Sequence, residues 1–204
     1  MRAAVGFGAL AILSICGWQG DQVPVAHAQL EAPPPIRILF SPEHPCTDAI
    51  VEEIAAARQS VNVQAYRLTS APITQALLAA HQRGVRVVIL IDSEGATPGK
   101  YSDATPFVNA GVPVLVDGEH TIAHNKVMIL DGQTVITGSF NFTKQAPTNA
   151  ENLLIIRGVP ELTAAYLGNF EQHMKHSVAI TPAPAGAQQP ARPKRRIPVI
   201  IRQN

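Results

Sequence analysis

Cysteine is nearly absent from this chain: among 204 residues there are two, Cys16 and Cys46. If the N-terminal segment is removed, as its pattern suggests, only Cys46 remains and no intrachain disulfide can form; an unpaired thiol is the expected state. Long apolar runs are absent too. The longest early stretch, residues 3–16, is well short of the roughly 20 residues that span a bilayer as a helix. No internal repeat is visible. Charged residues make up only 15% of the chain, but 46% hydrophobic content excludes a disordered polymer and indicates a globular protein.

The first residues read as a secretory signal. Arg2 precedes the apolar stretch, and Ala26-His27-Ala28 supplies a small-residue exit, so cleavage is expected after Ala28 and the chain is expected to be exported, periplasmic or secreted. A retained N-terminal anchor is the alternative. Lipid attachment at Cys16 is rejected because Ile15 is too bulky for the position before it. The net charge of +1 conceals an uneven distribution. The middle of the chain is acidic, whereas residues 177–204 carry Arg192, Lys194, Arg195, Arg196 and Arg202 and no acid. Such a tail suits an anionic partner, nucleic acid or anionic lipid, or is simply solvated.

The expected organisation is a signal at 1–28, a Pro-rich lead-in at 29–35, one catalytic-sized domain at 36–176 and a basic Pro-rich tail at 177–204. Within the domain, strands are expected at 36–40, 60–66 and 85–92, with helices between them, the first capped by Thr47 and the second beginning at Ser70 or Ala71. Residues 85–92 form a nearly continuous apolar run, the mark of a strand buried on both faces. A loop at 93–98, a weak helix at 103–110, strands at 112–116, 122–130, 134–138 and 153–156, and a helix at 160–173 complete the pattern. A short strand at 197–201 is expected in the tail. The fold class is therefore α/β, with a mixed, largely parallel sheet flanked by helices on both faces.

The chemistry concentrates between residues 122 and 152. Read as a strand, residues 123–131 place His124, Lys126, Met128 and Leu130 on one face. Asp131-Gly132 is a two-residue hairpin signal. If those two residues form the loop, His124 falls opposite Ser139 and Ile122 opposite Asn141, gathering an imidazole, an ammonium, a hydroxyl and a carboxamide. A loop one residue longer would turn Ser139 to the other face. The grouping suits an anionic tetrahedral substrate: Lys126 supplies charge, Ser139 and Asn141 supply neutral donors, and His124 can attack phosphorus or carry a proton. Asp131, at the turn, is expected to hold the hairpin or orient its neighbours. Glu151 could fix the His124 tautomer.

His124-x-Lys126 with Asp131 four residues further on, followed by Gly138-Ser139-Phe140-Asn141 and then Glu151-Asn152, resembles the H-x-K-x4-D, G-S-x-N and acidic segments of the phospholipase D superfamily. With Gln64-Ala65-Tyr66 and Arg83-Gly84-Val85, it resembles the small bacterial endonuclease branch, over about residues 36–176. The resemblance implies a hydrolase that forms a phosphohistidine on one histidine while a second histidine protonates the leaving oxygen, with no metal or other cofactor. Because this chain carries one motif, the resemblance also implies a homodimer sharing one active site, with two His124 side chains facing each other.

Other residues carry weaker readings. Tyr66 and Arg67 lie at a strand end that could border the site; core packing is the favoured expectation for Tyr66, Arg67 is expected to alter the groove, and Lys100 to touch phosphate or solvent. His173 and His176 are spaced three apart near a helix end and His120 lies four before His124, but no Cys/His/Asp grouping shows ligand spacing, so no metal site is expected. The substrate expected is DNA or RNA, cleaved without sequence preference because the contacts aim at phosphate. A phospholipid head group is the alternative, disfavoured by the lack of an apolar lid or amphipathic helix. A non-catalytic phosphate-binding module is a third.

Overall fold

The computed structural model describes residues 35–96 and 103–180. The expected signal, the loop holding Lys100, the basic cluster and the strand at 197–201 lie outside the described residues. The elements run β1 (Ile36–Ser41), α1 (Cys46–Ala56), β2 (Ser60–Ala65), α2 (Ala71–Gln82), β3 (Arg86–Asp92), α3 (Thr105–Asn109), β4 (Val114–Asp117), β5 (Lys126–Leu130), β6 (Thr134–Gly138), β7 (Glu151–Arg157), α4 (Pro160–His176) and β8 (Val178–Ala179). No helix among the described residues is long and apolar enough to cross a membrane.

All eight strands form one sheet in the order β1-β7-β6-β5-β2-β3-β4-β8. The sheet is mixed, as expected, but its balance is the reverse of the expected one. Only β2–β3 and β3–β4 are parallel; every other pairing is antiparallel. The cause is connection length. Parallel neighbours need a crossover, which α2 supplies between β2 and β3 and the α3 segment supplies between β3 and β4. From β5 onward the strands follow one another through shorter links and fold back as a meander.

Helices cover both faces. On one, Ile50 and Ile54 of α1 and Ile73 and Leu77 of α2 join Val61, Val63, Val87 and Ile89 of the sheet in the main core. On the other, Phe170 of α4 joins Val88, Leu90, Val127, Ile129 and Val135 in a smaller core. Alternate residues of β3 and β5 thus serve opposite cores, which explains their unbroken apolar runs. Each fully buried aliphatic side chain contributes roughly 1.5–3 kcal/mol.

Several boundaries differ from expectation, three of them with a structural consequence. The first helix begins at Cys46 after Pro45, without a side-chain cap, and Thr47 lies inside its first turn with its hydroxyl buried and unpartnered among the described residues. Residues 122–125 are not strand; β5 begins at Lys126. The sheet also continues beyond residue 176, because Val178 and Ala179 pair with Val116 and Leu115.

Candidate active site

The carboxyl ends of β2 and β6 and the amino ends of β5 and β7 lie at one end of the sheet, because β2–β5, β5–β6 and β6–β7 are all antiparallel. This brings together Tyr66 after β2, His124 and Lys126 at the start of β5, Ser139 and Asn141 after β6, and Glu151 at the start of β7.

The hairpin between β5 and β6 is one residue longer than expected. Leu130 pairs with Thr134, not Gln133, and Met128 pairs with Ile136. Two contacts account for the extra residue. The Asp131 carboxylate accepts the backbone N–H groups of Arg58, Gln59 and Ser60 at 2.8, 2.7 and 2.9 Å, drawing the turn onto the α1–β2 connection. The Gln133 carbonyl accepts the Gly158 N–H at 3.0 Å, drawing the other side of the turn toward β7. Asp131 and Gly132 both take positive φ, 52° and 64°. Burial alone would raise the Asp131 carboxyl's pKa, but its three N–H donors outweigh that and hold it below its ordinary value.

The longer loop overturns the expected pairing of His124 with Ser139. Extending the observed register sets Ser139 across from Asn125 and Lys126 across from Gly138. Ser139 instead locks β6 to β7: its hydroxyl accepts the Asn152 N–H at 3.0 Å, while the Asn152 carboxamide oxygen accepts the Ser139 N–H at 3.3 Å. Gly138 is required here. Its φ is 142°, and a Cβ would lie 2.2 Å from the Asn152 carbonyl oxygen.

Lys126 is 92% buried, an unusual position for an ammonium, and its Nζ donates to the His124 carbonyl at 2.7 Å. Burial pushes the lysine pKa below its ordinary value, and the nearby charge of Glu151 opposes that shift. The Nζ lies 5.4 Å from the Tyr66 ring centre, and the Tyr66 and His124 rings are 4.7 Å apart. Tyr66 is thus not a core residue but a wall of the site, steadied by a 2.7 Å hydrogen bond to Glu94 that raises its phenol pKa. His124 is exposed. Glu151 does not hold the His124 ring within this chain; it accepts the Asn149 side chain at 3.2 Å and faces the charge of Lys126. The Asn141 carboxamide oxygen is buried and has no partner among the described residues.

Sequence reading missed the groups that hold this site in place. Asp92, at the end of β3 and buried, accepts the Ala123 N–H at 2.7 Å and the Glu94 N–H at 2.8 Å. It therefore anchors the chain one residue before His124. Asp103, also buried, accepts from Arg67 at 2.7 Å and from the Leu68 N–H at 3.1 Å, so Arg67 ties the exit of β2 to the segment before α3. The one available signal was a strand ending in an acid, Asp92, in an otherwise apolar run.

The largest departure from expectation concerns the other histidines. Asp117, His120, His173 and His176, for which no ligand grouping was foreseen, come together with their potential ligand atoms all within 4.8 Å of one another. Two come from the end of β4 and the loop after it, and two from the last turn of α4. That juxtaposition depends on α4 returning across the sheet, which spacing along the chain does not reveal. Burial alone would raise the Asp117 carboxyl's pKa; hydrogen bonds from the three rings outweigh it and hold the group far below the usual carboxylate range.

The fold and the His124 cluster define a phospholipase D-like domain. The family described as cardiolipin synthase, PLD-like domain, matches residues 50–174, and the chain belongs to that family. A phospholipase D of Rickettsia felis is 44% identical over 132 residues, 64% of this chain and 65% of that protein. A mitochondrial cardiolipin hydrolase of Chlamydomonas reinhardtii is 33% identical over 124 residues, 60% of this chain and 54% of that protein. The chain thus spans just under two thirds of the first relative's length and about half of the second's. Among solved structures, a phospholipase D family member, Nuc from Salmonella typhimurium, superposes with a TM-score of 0.68 at 36% identity, covering 72% of this chain and 98% of that one.

Proposed function

We propose that this protein is a phosphodiesterase of the phospholipase D superfamily that cleaves nucleic acid without sequence preference, using His124 as nucleophile. The observation that carries the reading is an exposed imidazole on a loop whose backbone is bound by a buried ammonium, Lys126. The ring is accessible for in-line attack. The ammonium is poised to stabilise charge on the phosphoryl oxygens in a partly desolvated setting, where it counts for more than in water. Asn141 adds a carboxamide, and the Ser139 hydroxyl can still donate its hydrogen while accepting from Asn152.

In the proposed cycle a ring nitrogen of His124 attacks phosphorus, and the P–O bond to the leaving group breaks. The leaving oxygen takes a proton from a second His124, supplied by another copy of this chain. That second histidine then removes a proton from water as the water attacks the phosphohistidine, breaking the P–N bond, releasing a phosphate monoester and restoring the first ring. Glu151, unpaired with its own chain's His124, is available to Lys126 or to the partner's loop. Phe40 beside the Ser139–Glu151 groove and Ile122 on the His124 loop both expose apolar side chains, consistent with a shared site at a twofold axis. Export, carried by the pattern of residues 1–28, completes the reading.

The names of the curated relatives favour a second reading, the same chemistry on a phospholipid head group. The two separate by assaying labelled duplex DNA, RNA and phospholipid vesicles in parallel, with wild type and His124→Ala. Nucleic acid cleavage lost in the variant supports the first reading; head-group release without nucleic acid cleavage replaces it with the second. An active monomer by solution mass measurement would contradict the shared site.

A further inference from the structure

Three histidines outside the active site, His120, His173 and His176, have no part in this cycle, yet their arrangement around Asp117 is specific. Asp117 is 2% exposed in its side chain, at the carboxyl end of β4. Its Oδ1 is fixed by the N–H groups of Glu119 at 3.2 Å and His120 at 3.4 Å. His120 Nδ1 also lies 3.1 Å from Oδ1, while Oδ2 meets all three rings, with His173 Nδ1 at 2.6 Å, His120 Nδ1 at 3.0 Å and His176 Nε2 at 3.3 Å. The rings crowd one another, with centres 4.8, 5.2 and 5.3 Å apart. Without an ion, all three rings must direct N–H groups at one carboxylate. Around an ion, the same atoms are three imidazole nitrogens and one carboxylate oxygen, a nitrogen-rich donor set suited to four-coordinate zinc.

We propose that Asp117, His120, His173 and His176 form a zinc-binding site that clamps the end of α4 to the loop carrying His124. Tetrahedral ligands about 2.0–2.1 Å from zinc lie roughly 3.4 Å from one another. The cluster, now within 4.8 Å, reaches that spacing by small side-chain rotations. The backbone N–H groups on Oδ1 act as the outer shell that orients the carboxylate. His120, with a side chain 46% exposed, leaves a way in for the ion. Four protein ligands close the coordination sphere, so the ion's work is structural. It links the first residues of the 118–125 loop to a helix that β8 returns to the sheet beside β4. The site does not depend on the nucleic-acid reading, because it is defined by binding and not by turnover.

The test uses full-length protein stripped with chelator and dialysed. Cobalt(II) is added and followed by visible absorption, and zinc(II) is added in a calorimeter. One cobalt per chain with the intense bands of tetrahedral coordination is expected, displaced stoichiometrically by zinc. His173→Ala/His176→Ala should weaken zinc binding by roughly 100-fold or more. His120→Ala removes a half-exposed ring and guards against a folding defect; it should weaken binding by about 10-fold or more and alter the cobalt spectrum. His124→Ala should bind as wild type does. The proposal is overturned by any of three results: no saturable one-to-one binding to the wild type, unchanged affinity in folded His120 or His173/His176 variants, or loss of binding in His124→Ala.

Discussion

The two halves of this chain build one sheet by different means. Up to residue 117, strands alternate with helices and lie parallel in β2-β3-β4; after it, β5, β6 and β7 form an antiparallel meander. The proposed reacting groups, His124, Lys126, Asn141 and Glu151, all belong to the second half. The first half supplies what steadies them: the Tyr66 ring, the Asp92 carboxylate under Ala123, and the α1–β2 backbone that grips Asp131. The site forms along the β2–β5 seam where the halves meet, so chemistry and support are separable by substitution.

The greatest expected loss comes from the second half. His124→Ala should reduce phosphodiester cleavage by ~10⁴-fold or more, as for a residue whose covalent role nothing replaces, measured with labelled duplex; residual turnover within 10-fold of wild type would move the chemistry elsewhere. Lys126→Gln should cost about 10²–10³-fold in kcat with little change in fold. If KM alone rises, the ammonium binds substrate without favouring the transition state. Gly138→Ala should destabilise by on the order of 3 kcal/mol, from a strained φ and a clash with backbone that cannot move aside. Denaturant unfolding checks this, and a loss under 1 kcal/mol would mean β6 and β7 can separate.

On the supporting side the effects are smaller. Asp92→Asn should retain the fold while lowering kcat by roughly 10-fold, since Glu94 and Ala123 donate to different carboxylate oxygens and an amide NH2 in place of either cannot accept; an unchanged kcat would show that Ala123 needs no such anchor. Asp131→Asn tests the seam through pH. The folded carboxyl has a lowered pKa, so its contribution is present above the unfolded value of about 3.9 and disappears as pH falls through the folded one. Thermal midpoints of the variant should therefore fall less steeply than wild type below about pH 5.

Legibility from sequence followed the same division. The strand and helix alternation of the first half was visible because apolar spacing reports local geometry, and β6 was placed at its observed bounds. The motif residues were legible as a set. Their facing was not, because one loop residue reverses a strand's sides, and that residue was decided by remote contacts: Asp131 to residues 58–60 and Gln133 to Gly158. The assignment of residues 122–125 to a strand failed for a related reason. Asp92 holds Ala123 by its N–H, and Lys126 binds the His124 carbonyl, so the segment obeys side chains and not a ladder. The cluster of Asp117 with three histidines was invisible because its halves lie more than fifty positions apart and meet only when α4 crosses the sheet.

Asp117 holds the backbone at Glu119 and His120, and Asp92 holds it again at Ala123. Between two such fixed posts the chain has a set span, so an extra residue there can only bulge outward and leaves His124 where it was. An insertion past the second post, between Ala123 and Lys126, has no such refuge and must swing His124 away from its lysine. Length variation among related chains is therefore tolerable on one side of a single peptide bond and ruinous on the other.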